Sequence, residues 1–159
     1  MTADLKELEE NMLTQAMGFL EKGQDIAPVA AILDSKGDIR FVLLEHSNNR
    51  AKRLAYLAVS RLARKFGAVA VLSLADMWFL EVERNYKGPT PMNSPNRKEA
   101  IHVSVVAPDG SFISLTSQPY HRDGTKIVWE ARKTTPGNQL SGSTQKLIPA
   151  WGTTGGTAN

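Results

Sequence analysis

Cysteine is absent from this chain, which removes disulfides and thiolate-held metal together and suits a reducing compartment. Long apolar runs are absent too. The richest stretch, Ala68 to Leu80, is broken by Ser73 and Asp76 and falls short of the roughly 20 residues a membrane-crossing helix requires. No membrane partner is expected. The opening "MTADLKELEENMLTQAMGFLEKG" carries acids where a secretory leader carries bases, so export is not expected and the cytoplasm is the expected location. Excess charge of one sign is also scarce. The formal net charge is +3 over 159 residues, so the placement of charge matters more than its sum.

Motifs with a fixed chemistry are missing as well. The three histidines, His46, His102 and His121, form neither an HExxH nor an i, i+4 pair, so no metal site is expected. The tripeptide "HRD" at His121 to Asp123 lacks the asparagine that a kinase catalytic loop needs five residues later, where Val128 stands. Asp123 and Gly124 are better read as a turn. No G-x-S-x-G, Walker or G-x-G-x-x-G pattern occurs, and the closing "GTTGG" has no strand and helix around it to make a phosphate cradle. No cofactor is expected.

What is present is a regular order of elements. Asp4 and Glu7 fit a capping box, and Leu5, Leu8, Met12, Ala16, Phe19 and Leu20 recur at helical spacing up to Gly23. Glu7, Glu9, Glu10 and Glu21 give this first helix an acidic outer face of solvated appearance. "VAAILDSKGDIRFVLLE" reads as a hairpin. Ser47 or Asn48 can cap a second helix with Ala51, Ala55, Ala58, Leu62 and Phe66 as its apolar stripe and Gly67 as its stop. "AVAVLSLADMWFLEVE" follows, most of it strand, as one long strand or two short ones. "EAIHVSVVA" and "SFISLTS" then flank the turn Pro108, Asp109 and Gly110, and "TKIVWEARK" makes a further strand.

The order α-β-β-α-β-β-β-β with short connections predicts an α+β fold, a mostly antiparallel sheet of five to six strands with two helices packed on it. From Thr135 the composition falls to Thr, Gly, Ser, Asn and Gln. Residues 1–134 are therefore expected to form one domain and 135–159 a flexible tail, with an apolar segment at 147–151, "LIPAW".

Residues 69–110, "VAVLSLADMWFLEVERNYKGPTPMNSPNRKEAIHVSVVAPDG", join an acid before a tryptophan, a proline-rich loop and an Arg-Lys-Glu-Ala step into a hydrophobic strand. The stretch resembles a segment of bacterial and phage-associated proteins of unknown function, a resemblance that implies no activity. The element order is also similar to the Roadblock and profilin-like scaffolds. That likeness concerns topology alone, and the Roadblock pattern ends in a third helix for which the tail has no period.

Four places stand out as candidate sites. Asp76 sits in an apolar run beside Met77 and Trp78, where a carboxylate needs a partner or a shifted pKa. With His102 it is a candidate catalytic residue of a small-molecule enzyme, provided the two converge in one pocket; a local turn or bulge at Asp76 and a half-exposed strand histidine are the structural alternatives. Arg50, Arg53, Arg61 and Arg64 form a basic stripe on the second helix with Leu57 among them, fit for nucleic-acid phosphates, an acidic partner or plain solvation. Prolines 89, 91 and 95 force the 84–98 segment out of the sheet, with Arg97 and Lys98 at one foot for an anionic or protein ligand. Trp151 in the tail can dock on a partner or on its own domain.

Taken together these features favour a non-enzymatic protein-interaction or regulatory domain, using a sheet edge, the proline loop and the tail, with a protein partner or a homo-oligomer. Nucleic-acid binding through the second helix and an enzyme centred on Asp76 and His102 are the alternatives.

Overall fold

The structure is a computed structural model that describes residues 2–79, 87–88, 98–140 and 147–152. Helix α1 spans Thr2–Glu21 and starts before Asp4, which is therefore inside the helix instead of capping it. Leu8, Met12, Leu13, Ala16 and Leu20 are buried, and the steps 8–12, 13–16 and 16–20 are the three- and four-residue spacings of one helical face. The helix stops at Gly23, whose φ of 76° is open to glycine at no steric cost.

Strands β1 (Val29–Asp34) and β2 (Ile39–Leu43) form the expected hairpin. Asp34 fixes its turn: the carboxylate accepts from the backbone N–H of Lys36 at 2.9 Å and Asp38 at 3.0 Å and from Arg40 at 3.1 Å. Burial works against its charge, and the hydrogen bonds from Arg40, Asp38 and Lys36 prevail, leaving its pKa below the ordinary value.

Helix α2 spans Asn49–Phe66. Asn48 is the cap, its side chain accepting from Ala51 N–H at 2.8 Å, and Gly67 ends the helix in the left-handed region. The apolar stripe is not the expected one. Tyr56, Val59, Ser60 and Ala63 are the buried residues, whereas Ala58 is exposed and Ala51, Ala55, Leu62 and Phe66 are half-buried. At about 100° per residue the inward face lies roughly a quarter-turn from the alanine stripe. The reason is that Tyr56 and Ser60 find polar partners inside: the Tyr56 hydroxyl lies 3.3 Å from Ser73 Oγ, and Ser60 Oγ donates to Pro149 O at 2.8 Å.

Among the described residues five more strands follow: β3 (Ala68–Phe79), β4 (Lys98–Val106), β5 (Phe112–Asp123), β6 (Lys126–Trp129) and β7 (Lys133–Pro136). They complete one seven-stranded sheet in the order β2-β1-β3-β4-β5-β6, with β7 also on β5, and every pairing is antiparallel. The α+β class and the antiparallel sheet of the sequence reading hold. β5 outruns the expected "SFISLTS" because Pro119 is tolerated inside it. The Pro119 carbonyl accepts from Glu130 N–H on the β6 side, so its missing donor falls at the break between β6 and β7, where no ladder bond is lost.

Alternation along the strands divides the core. Leu72, Leu74, Ile101, Val103, Val105, Tyr120 and Ile127 face α1, while Ala30, Ile32, Val71 and Val106 face α2. The acids of α1 are less solvated than its sequence implies. Glu9 is buried and accepts from Thr116 Oγ1, Glu10 meets Arg132 at 2.8 Å, and Glu21 accepts from Trp129 Nε1 at 2.9 Å.

The boundary at residue 134 needs correction. β7 and a 3-10 turn at Gly137–Gln139 continue past it, and a side chain at Gly137 would collide with the Phe112 carbonyl. Residues 147–152 then pack on the α2 face: Ile148 is fully buried, and Trp151, at 3% exposure, donates from Nε1 to Ala68 O at 2.9 Å. A polar composition hid the packing of residues 135–140 and 147–152.

Candidate functional site

Asp76 lies in regular strand, with no bulge. Register sets it opposite Ile101 and sets Ala75 opposite His102. Side chains alternate across a strand, so Asp76 points to the α1 face and His102 to the α2 face. They share no pocket. Asp76, Trp78, Glu99 and Arg122 line a cleft of about 460 Å³, whereas His102 lines one of about 260 Å³ with Tyr56, Ser73 and Leu147. The convergence in one pocket that a joint Asp76–His102 site requires is therefore not met.

The Asp76 side is a hydrogen-bonded cluster. The Tyr120 hydroxyl lies 2.8 Å from each Asp76 carboxylate oxygen and 2.6 Å from Glu99 Oε2, and Arg122 reaches Glu99 at 3.5 Å. One hydroxyl has one proton to share between two carboxylates. Burial raises the Asp76 pKa; the Tyr120 bond opposes this and the Glu99 charge adds to it. Burial and both carboxylates push Tyr120 upward, so it stays protonated as the donor. His102 is shifted down by burial. Among the described residues, no group of His, Asp or Glu is arranged to hold a metal.

On α2, Arg50, Arg53 and Arg61 are exposed, and Leu54 and Leu57 stand among them. Arg64 differs from its neighbours: its Nε donates to Trp151 O at 2.9 Å, which ties it to the 147–152 segment. Trp151 likewise serves its own core and is closed to a partner. Lys98 opens β4, while Arg97 and most of the 84–98 segment lie outside the described residues.

The surface that the candidate residues above did not include is the outer edge of β2. Its odd residues face the α1 side, and α1 stops short of them: Ile39 is 40% exposed, Phe41 61% and Leu43 76%. Phe19 of α1, 47% exposed, stands across a groove of about 400 Å³ lined by Met12, Ala16, Val29, Phe41 and Leu43. The even residues turn the other way, where Val42 joins the α2 core and the Arg40 guanidinium lies 3.8 Å from the Phe66 ring centre. The alternation in "IRFVL" was the available signal; which strand ends the sheet was not.

A phage connection rests on a finding independent of this geometry. This chain belongs to the family of bacteriophage lambda protein ea47. The family profile matches residues 1–157, well beyond the 69–110 segment that carried the first resemblance. No curated protein and no solved structure matches the chain. The family membership brings no activity with it, and the likeness to Roadblock and profilin-like scaffolds stays one of element order. Among the described residues, no helix is long and apolar enough to cross a membrane.

Proposed function

We propose that this phage protein is a non-enzymatic protein-interaction module of the bacterial cytoplasm, and that its working surface is the β2 edge with the adjoining α1 groove. One observation carries the reading: the exposed Phe19, Phe41 and Leu43 line one groove, and the exposed Ile39 extends it along the same face of β2. Contiguous apolar surface of this kind marks a contact site, whereas singly scattered apolar residues mark nothing. The groove also lacks what a small-molecule site needs. Its polar lining is confined to Gln15, Gln24 and Asp25 among apolar residues, few of the polar groups that orient a substrate.

The test is a photoreactive phenylalanine analogue placed at position 41, with a second chain carrying it at Lys133 on the opposite sheet edge. Irradiation in bacterial cells should give a protein adduct of defined mass from position 41 and none from position 133. Equal labelling of both, or no protein adduct from position 41, removes the reading.

A further inference from the structure

We infer that the occupant of the β2 edge is a second copy of this chain, added strand to strand about a two-fold axis. This deepens the interaction reading and rests on it. Leu44 N–H bonds to Pro28 O, and Asp34 N–H to Asp38 O, so in β2 the even residues aim their backbone groups at β1. Backbone direction alternates along an antiparallel strand. The N–H and C=O of Ile39, Phe41 and Leu43 therefore point outward, at the end of the sheet.

Those three positions are self-complementary. A two-fold axis at Phe41 pairs Phe41 with Phe41 and Ile39 with Leu43 of the copy, and each pair is of the hydrogen-bonded kind, giving about six inter-chain bonds. On the α2 side the same register sets Arg40 opposite Val42. Shifting by one step toward the turn would set Arg40 against Arg40, and like charges directly opposite are unfavourable. Charge disfavours that shift, and the register centred on Phe41 gives the longest overlap of the five-residue strand. On the α1 side the apolar residues of both copies merge into one band.

The available area fits. The four exposed side chains offer roughly 400 Å² per copy, and the strand backbones and groove walls extend this toward the roughly 800 Å² per partner of a standard interface. Edge strands that must stay single carry charge, proline or a bulge. β2 carries none of these at its three outward positions.

Sedimentation velocity over a concentration series decides the matter, using the full chain, Phe41→Lys, and the conservative Phe41→Leu. The wild type should sediment as a dimer at about 10 µM, Phe41→Leu should remain one, and Phe41→Lys should be a folded monomer by circular dichroism, its dimerisation weakened more than about 100-fold. A wild type that stays monomeric at about 100 µM overturns the inference, as does a photo-adduct from position 41 to residues 80–97 of the same chain. A monomer that still gives an adduct with a different protein sinks the dimer and spares the interaction reading. If Phe41→Lys does not fold, Leu43→Lys replaces it, and a dimer that survives in that variant also overturns the inference.

Discussion

Two apolar grooves flank the sheet, one beside each helix, and among the described residues only one of them has an occupant. Beside α2, the segment 147–151 inserts Ile148 and Trp151, which reach the same burial as the strands beneath them. Beside α1, Phe41 and Leu43 remain open. The two surfaces are chemically alike, and the difference lies in what the chain itself supplies. An apolar groove filled by its own chain is core, and its residues are held by stability. One left open is available for association, and its residues can change without harm to the fold.

The comparison breaks most visibly at Trp151. Trp151→Ala empties a filled site and removes the donor to Ala68 O, so a loss of about 3–5 kcal/mol in urea unfolding is expected, with Trp151→Phe intermediate. Oligomeric state at matched folded concentration should not change. The open groove should behave the opposite way. Phe41→Lys with Leu43→Lys should leave monomer stability within about 0.5 kcal/mol and abolish association, read by denaturation at low concentration and by light scattering.

Much of this contrast was hidden in the sequence, and particular residues show why. Helices and turns were legible because Asn48, Gly67, Gly23 and the Pro108–Gly110 turn encode backbone geometry locally. The phase of α2 was not, since Ala51, Ala55 and Ala58 look inward by hydropathy while Tyr56 and Ser60 go inward by virtue of partners at Ser73 and Pro149, far along the chain. The separation of Asp76 from His102 depended on the pairing of β3 with β4, which neither strand specifies alone. "LIPAW" announced an apolar island without stating where it docks. "IRFVL" announced two faces without stating that α1 would leave one bare.

Smaller effects sharpen the same contrast. Arg64→Ala removes the tie to Trp151 O, and a loss of about 1 kcal/mol is expected. Arg53→Ala, on the same stripe without that tie, should cost less than about 0.5 kcal/mol. Asp76 belongs to neither groove and serves as a pH control. Burial raises its pKa above the ordinary 3.8, so the native state holds that proton more tightly than the unfolded chain does. Its contribution is fully present below 3.8 and is lost as pH rises through the elevated native value. Asp76→Asn should flatten stability against pH in that window, measured by urea midpoints, and leave association unchanged.

Amide hydrogen exchange along β2 gives the most direct reading of whether its edge is shared between copies. In a lone chain, Arg40 and Val42 are protected by β1 while Ile39, Phe41 and Leu43 exchange freely. Pairing of two copies predicts that the three odd amides become protected as protein concentration rises and lose that protection in Phe41→Lys, with the even amides unchanged. Odd amides that exchange equally fast at every concentration would contradict it.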